Sequence, residues 1–352
     1  MTIGAHITSE NIEQNKLLEA LKILALNNTD TKIIFFAEKV IAGLPFNCLQ
    51  ISITPQPKNK LLLYYWYNYK LPKLLTCNNV DSFIGHNALP NSVLGTNGFL
   101  FLNSTQFLKE NNLFFKKQFK NAASSSKKIF VTDEFIADKL NNKFENAAAK
   151  TETLNFNVNL GKVQFTFSEK EAFKQANTAG FDYYLFPVNA ASARHLLVVL
   201  KAFSQLKRWQ KTAIKLLLLF ENKIDENLLP DFKNYKYRND VTLLKQTLEN
   251  DESVKAAAFA FIFLNDYYKF DSVHAAFFYN VPVIAAKTTA NEFLFATAVA
   301  YTVITAADVA LQLQLVYKNE AYKNSLTQQA TTYLQKYDTN KASKKLYELV
   351  SN

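Results

Sequence analysis

Glycine is nearly absent from this 352-residue chain: there are 7, at positions 4, 43, 85, 95, 98, 161 and 180, and none from Phe181 to Asn352. Ordinary proteins hold about 7 %. The second half therefore has no Gly-rich phosphate loop of the P-loop or dinucleotide kind, because such loops need positive φ and close backbone approach. Cysteine is limited to Cys48 and Cys77, without metal-type spacing, which fits a reducing compartment. The four histidines (His6, His86, His195 and His274) form no ligand pair such as HExxH, so no metal and no cofactor is expected. The longest apolar run, Ala256–Leu264, is too short to cross a bilayer. No basic, apolar leader opens the chain, so the expected setting is cytoplasmic.

What is present describes a folded protein. Hydrophobic residues make up 49 %, aromatics 14 % and charged residues 20 %, which excludes disorder, and the length suits two domains with separate cores. The net charge of +10 is uneven: Lys58 to Lys128 holds ten lysines against Asp81 and Glu110. Such a field suits an anionic neighbour, whether a membrane surface, a nucleotide sugar or nucleic acid. A solvated lysine-rich face accounts for it equally well.

Short apolar runs alternate with amphipathic stretches, the rhythm of an α/β protein with parallel sheets. In the first half the pattern predicts strands at Ile3–Ile7, Lys32–Ala37, Cys48–Ile53, Asp81–Ile84, Gly98–Leu102 and Lys128–Val131. Helices are predicted at Glu10–Leu26, Leu61–Leu75, Lys109–Asn121 and Asp133–Phe144, the last capped by Thr132, with Ala122–Ser126 as a loop. A capping box at Ser168–Glu171 and a helix stop at Gly180 place a boundary near residues 160–175. Beyond it come strands Tyr183–Phe186, Ile214–Phe220, Val241–Leu244, Ala257–Leu264, Val281–Ala285 and Thr302–Ile304. Helices Ala191–Trp209, Glu249–Lys255, Ser272–Tyr279, a short one near Asn291 and a closing set from Ala306 complete the half. The expected fold is two Rossmann-like domains facing across a cleft, which describes the GT-B architecture, although several unrelated two-domain α/β enzymes share this rhythm. The expected domains are 1–165 and 166–352, with a last helix at about 335–352 returning to the first.

Several segments of the second half resemble family 4 glycosyltransferases. Tyr183–Phe186 followed by Arg194–His195–Leu196 and Leu200–Phe203 is similar to that family's "yFLFVG", "RKN" and "LL-x-AF" elements. Lys215–Phe220 resembles "KLLIVG", Asn239–Val241 resembles "DDV", and His274–Ala276 with Val281–Ile284 resembles "LEAMxxGxPVI". In the first half, Tyr64–Leu75, Val80–Ile84 and Ile129–Leu140 are similar to the aromatic helix, "ADLFL" and "IATVSEYSKQDI" segments. The resemblance implies retaining transfer from a sugar nucleotide held by the second domain. It also implies two glutamates eight positions apart for donor hydroxyls, an Arg and a Lys on the diphosphate, glycines beside it, and a His-Asp pair on the first domain.

This chain departs from that pattern at nearly every matching position. The glutamates fall on Tyr267 and Ala275, and the His-Asp pair on Asn103 and Ser104. The glycines fall on Val188, Phe220 and Asn280, and the first strand runs into Thr8–Ser9–Glu10 without a glycine pair. The cation pair becomes Ala193–Arg194. An alanine accepts no hydrogen bond through its side chain, and a leaving diphosphate needs cationic or N–H stabilisation. Val188, Phe220 and Tyr267 are expected to fill the interdomain cleft.

The candidates that remain are few. Arg194 and Glu221 are the expected donor- or substrate-binding residues: Arg194 opens a helix where phosphate is favoured, and Glu221 follows a strand end. Asp271 and His274, three apart on one helix face, are the catalytic candidates, against a solvated cap residue and a partly buried histidine. His86 and Asn87 follow a strand end and could touch an acceptor. The aromatic helix with Lys58, Lys60, Lys70 and Lys73 packs on its own domain or lies on a membrane inner face as a peripheral contact. No RNA-binding motif appears, so nucleic acid is set aside. The leading reading is a glycosyltransferase-like protein without ordinary donor chemistry, acting as a binding or scaffold partner in glycan synthesis. Alternatives are an active retaining glycosyltransferase with a rearranged site, taking a nucleotide sugar and a glycan or lipid-linked acceptor, and a pure interaction module.

Overall fold

Strands buried on both faces carry unbroken apolar runs, and KIIFFA at Lys32–Ala37 and KLLLLF at Lys215–Phe220 are of that kind. Only the lysine that opens each is outside the core. The computed structural model of the chain describes residues 1–8, 15–54, 60–90, 97–104, 113–144, 147–158, 160, 164–221, 223, 232–247, 251–265 and 271–351. It divides into two units, Met1–Asn159 with Tyr337–Asn352, and Leu160–Lys336.

The first unit holds a parallel sheet of order β3-β2-β1-β4-β5-β6-β7. Its strands are β1 (Thr2–Ile7), β2 (Lys32–Ala37), β3 (Cys48–Ser52), β4 (Ser82–His86), β5 (Asn97–Leu102), β6 (Lys128–Val131) and β7 (Thr151–Thr153). The second unit repeats the plan with order β10-β9-β8-β11-β12-β13. There β8 is Tyr183–Val188, β9 Lys215–Phe220, β10 Val241–Lys245, β11 Ala260–Phe263, β12 Val283–Ala286 and β13 Ala300–Thr302. In both, the chain works outward from a central strand and then restarts on its other side, as a Rossmann sheet does. The fold class is α/β, and the predicted strands recur with ends shifted by a few residues. The largest shift is at the start of β11, expected at Ala257 and found at Ala260, while β13, expected at Thr302–Ile304, moves by two residues at both ends.

Helices cover both faces. The first unit has α1 (Lys16–Asn27), α2 (Lys60–Tyr65), a π-helical turn (Trp66–Lys70), α3 (Leu71–Cys77), α4 (Leu113–Ser125) and α5 (Glu134–Lys143). The second has α6 (Phe167–Thr178), α7 (Leu196–Gln210), α8 (Asp251–Ala256), α9 (Asp271–Phe278), α10 (Thr289–Phe295), α11 (Ala306–Lys318) and α12 (Glu320–Leu334). The last helix, α13 (Thr339–Ser351), belongs to the first unit and packs on α1. There Ser343 Oγ donates to the Ala20 carbonyl at 2.7 Å and Leu346 is fully buried.

Some local expectations are corrected. Asp133, not Thr132, caps α5, because its carboxylate accepts from the Ile136 N–H while Thr132 Oγ1 turns to Asp133. Residues 122–125, expected as loop, continue α4: Ala122 and Ala123 are buried and keep the helix attached to the sheet. The capping box of α6 is Thr166 with Glu169, two residues before Ser168–Glu171. The helix stops at Ala179, left-handed at φ 53°, one residue before Gly180 at φ 80°.

That stop shows how the chain manages with little glycine. Left-handed backbone is taken here by Asn79, Asn87, Ala179, Lys211, Asn280 and Ala296. Asparagine tolerates that region through local hydrogen bonding, but alanine pays about 1–2 kcal/mol for its Cβ. Replacing Ala179→Gly should therefore raise stability by roughly 0.5–1 kcal/mol in urea denaturation, after the entropy glycine adds to the unfolded chain.

A buried ion pair anchors the base of the second sheet. Lys207, on α7, donates to the carbonyls of Thr212 and Ile214 and lies 2.9 Å from Asp240, which also holds Lys215 at 2.7 Å. Burial acts to raise the Asp240 carboxyl, but hydrogen bonds from the two lysines outweigh it and hold it below its usual range. Asp240→Ala would leave the buried Lys207 ammonium without its counter-charge. It should cost roughly 2 kcal/mol in thermal or urea unfolding, more than an exposed pair would lose.

Candidate functional site

Where strands are buried on both faces, their C-terminal ends and the turns that follow are the places left for chemistry, above all beside the strand where the order reverses. In the second unit that place lies between β8 and β11. After β8, the turn is built from side chains instead of glycine. Asn189 Oδ1 accepts from the Ala191 and Ser192 N–H groups, each at 3.0 Å, and Ser192 Oγ donates to the Pro187 carbonyl at 2.6 Å. A 3₁₀ turn, Ala193–His195, leads into α7. No side chain caps α7; the 3₁₀ turn does so through its backbone, with the Leu196 N–H bonded to the Ala193 carbonyl and the His195 N–H to the Ser192 carbonyl. Arg194 is exposed in this turn, its Nε 2.9 Å from His195 Nε2. Partial burial and then the Arg194 charge lower the His195 pKa, so this imidazole stays neutral and can accept from the guanidinium.

The other candidates lie on different elements. Glu221 is exposed directly after β9, its N–H bonded to the Val188 carbonyl. Asp271 and His274 share one face of α9. His274 is fully buried, Nε2 3.2 Å from Tyr333 Oη, and its ring packs on Phe277 and Tyr333, which continue to Phe295. His274, expected either as a catalytic group or as a partly buried histidine, is instead fully buried, and its ring packs within the α9–α12 interface. Ala275, at the matching glutamate position, is also buried.

Val188 and Phe220 belong to the hydrophobic core of the second unit, 3 % and 2 % exposed. Asn280 keeps a left-handed φ of 58°, so the turn expected of a glycine survives without one. Tyr267 lies outside the described residues.

The first unit has a polar cluster at the equivalent place, between β1 and β4. His6 is the next-to-last residue of β1 and His86 ends β4. The π-helical turn brings both Trp66 and Tyr67, adjacent in sequence, into the core. Trp66 meets Phe36, and Tyr67 Oη reaches His6 Nδ1 at 2.5 Å. The backbone of His86 also hydrogen-bonds to Tyr67, while the His86 ring meets Asn87 Nδ2 at 3.0 Å and hydrogen-bonds with the side chain of Asn103. The chain turns sharply here: a Cβ on Gly85 would lie 2.0 Å from the Ala88 carbonyl oxygen. Asn87 takes φ 59° to make the turn.

Burial sets the charge state of this cluster. It lowers His6 to about 3, helped by His86, and lowers His86 to about 4 against the Asn103 hydrogen bond. Both rings are neutral, so with Asn87 and Asn103 they suit hydroxyl groups and do not attract anions. Sequence reading reached His86 and Asn87 but missed the link from His6 through Tyr67. The signal was the histidine near the end of the first strand and the tyrosine in the aromatic helix; the π turn that joins them has no local signature. Among the described residues no group of three or more His, Cys, Asp or Glu is placed to hold a metal.

Two neutral buried histidines make folding pH-dependent in a fixed direction. Unfolded, each binds a proton below about 6.5; folded, neither does until about 3 to 4. Their contribution is complete above about pH 6.5 and is lost as pH falls from there. Stability should drop by about 1.4 kcal/mol per pH unit for each ring. His86→Asn should remove one ring's share, read as urea midpoints from about pH 7 to about pH 5.

Among solved structures, the fold is that of GT-B glycosyltransferases. The chain matches a glycosyltransferase from Rickettsia africae with a TM-score of 0.72 at 13 % identity, covering 100 % of this chain and 99 % of the other. It matches Anabaena HepE in complex with UDP and glucose with a TM-score of 0.74 at 13 % identity, covering 100 % and 99 %. It also matches WaaG, a glycosyltransferase involved in lipopolysaccharide biosynthesis, with a TM-score of 0.70 at 13 % identity over the whole of both chains. No protein-family model and no curated protein matches the chain.

Proposed function

We propose that this chain is a family 4-like glycosyltransferase homologue without ordinary sugar-nucleotide chemistry. It acts as a non-catalytic binding or scaffold partner in glycan synthesis, in the cytoplasm at the inner face of a membrane. One observation carries this reading. At the position where the resembling enzymes hold a donor glutamate stands Ala275, buried and without a side-chain acceptor, beside a His274 committed to aromatic packing. A pocket that holds a sugar by its hydroxyls needs acceptors there, and none replaces the lost carboxylate at that position.

A second reading is favoured by the β8–α7 turn. Arg194 is exposed at the start of α7, and the positive end of a helix dipole together with a guanidinium suits a diphosphate. On that reading the protein is an active retaining glycosyltransferase with Arg194 on the diphosphate and Asp271 on the sugar.

The readings separate by thermal shift with UDP-glucose, the ligand of one HepE structure, together with a set of GDP-sugars. The expected result is a melting temperature independent of ligand concentration. A rise that grows with concentration and disappears in Arg194→Ala would sink the non-catalytic reading, since binding to the folded state must raise apparent stability, by about 2.7 kcal/mol at a hundredfold excess over Kd.

A further inference from the structure

A strand at the end of a sheet leaves one row of N–H and C=O groups unpaired, and proteins guard such edges with charge or by keeping them short. Among the described residues the two sheets end on β3, β7, β10 and β13. β7 is three residues long and carries Glu152, held by Lys128 at 3.1 Å and by Lys345 at 3.0 Å. β10 follows Asp240 and ends on Lys245. β13 is three residues long. β3, five residues at the end of the first sheet, has neither device.

The segment around β3 is as bare of charge as the strand itself. From Val40 to Pro57 there is no Asp, Glu, Lys, Arg or His, in a chain that is 20 % charged. Val40 is 88 % exposed, Phe46 81 % and Leu49 48 %. The ladder shows which backbone groups face outward. The Ile33 N–H donates to the Asn47 carbonyl and the Ile53 N–H to the Ala37 carbonyl, so the odd-numbered residues of β3 bond to β2. The N–H and C=O groups of Gln50 and Ser52 therefore point away from the sheet. The Gln50 side chain does not compete for them: it accepts from the Ile41 N–H at 2.9 Å and donates to the Lys39 carbonyl at 2.7 Å.

We infer that β3 pairs antiparallel with β3 of a second copy of this chain, about a two-fold axis at Gln50, and so joins two seven-stranded sheets into one. Antiparallel pairing of a strand with itself is self-complementary. Each Gln50 N–H donates to the Gln50 carbonyl of the other copy, and each Ser52 N–H donates to the Cys48 carbonyl opposite. The Cys48 N–H is already bonded to the Pro45 carbonyl and takes no part. In this register Leu49 stands opposite Ile51 of the second copy, twice over, which gives two apolar cross-strand pairs on one face of the joined sheet. Charge selects this occupant. At a net charge of +10, two copies repel over most of their surface, and a charge-free segment is where they approach at least cost. An acidic partner would instead be drawn to the lysines between Lys58 and Lys128. The contact is small, so the dimer is reversible and depends on concentration. The inference is independent of whether the second unit binds a sugar nucleotide.

Sedimentation velocity of the full chain over a concentration series tests it. The sedimentation coefficient should rise from the monomer's value to the dimer's as concentration increases. Leu49→Lys should weaken dimerisation by about tenfold or more, because the two-fold axis doubles the loss of the Leu49–Ile51 pair. Its melting temperature in the dilute, monomeric range should be unchanged, since Leu49 is exposed. Ser52→Lys, also at an exposed position, should act in the same sense. Val303→Lys, exposed just after β13, should leave the dimer intact. A monomer at every concentration overturns the inference, as does a dimer that neither Leu49→Lys nor Ser52→Lys weakens. So does a dimer that Val303→Lys dissociates, which would give the contact to the edge of the second sheet.

Discussion

A parallel strand buried on both faces has no side chain to spare for solvent, and everything else about this protein follows from that constraint. The inner strands of both sheets are of this kind, while the edge strands β3, β7 and β10 are partly exposed, so helices cover the inner strands and chemistry is confined to their ends. His6 and His86 are where they are because β1 and β4 end at or beside them. Arg194 and Glu221 follow β8 and β9 for the same reason. The side chains within the strands, Phe220 and Val188 included, are spent on the core.

The scarcity of glycine takes on a different meaning once the backbone is known. Read as composition, it excludes phosphate loops and looks like the loss of a site. In the structure, Asn79, Asn87 and Asn280 occupy left-handed turns, and the turn after β8 is closed by Asn189 and Ser192 side chains. Asparagine can supply these turns because its side chain bonds to nearby backbone. The missing glycine at Asn280 therefore says little about function, whereas Ala275 says more, since no neighbouring backbone can replace a carboxylate that holds hydroxyls. Gly85 shows the limit of the economy. Its Cβ would strike the Ala88 carbonyl, and no asparagine could relieve that.

The two units have diverged in what their strand ends offer. The first keeps a neutral, hydrogen-bonded cluster of imidazole, phenol and amide, suited to hydroxyl groups. The second keeps one guanidinium, beside His195, at the start of a helix, while His274 lies in an aromatic interface. The segment Lys60–Cys77 links chemistry to surface in the first unit: one side supplies Tyr67 to the cluster, and the other presents Leu61, Tyr65 and Tyr69 to solvent.

Much of this was legible in the residues. Apolar runs of four to six located most strands, because burial on both faces leaves that mark whatever the partners are. Alternation of strands and helices fixed the α/β class, and the positions of Arg194, Glu221, His86 and Asn87 after strands placed them at sheet edges. Helix ends were less legible, since several Thr, Ser and Asp residues can cap and only packing selects Thr166 and Asp133. Three things belonged to the tertiary structure alone. His274 is fully buried because Tyr333, 59 residues away, closes over it. Tyr67 reaches His6 across 61 residues because a π turn rotates it inward. Val188 and Phe220 sit in a core that gathers strands and helices from across their unit. Local sequence sets period and turn chemistry, but which distant side chain meets a given residue depends on the sheet order, and that order is a property of the whole chain.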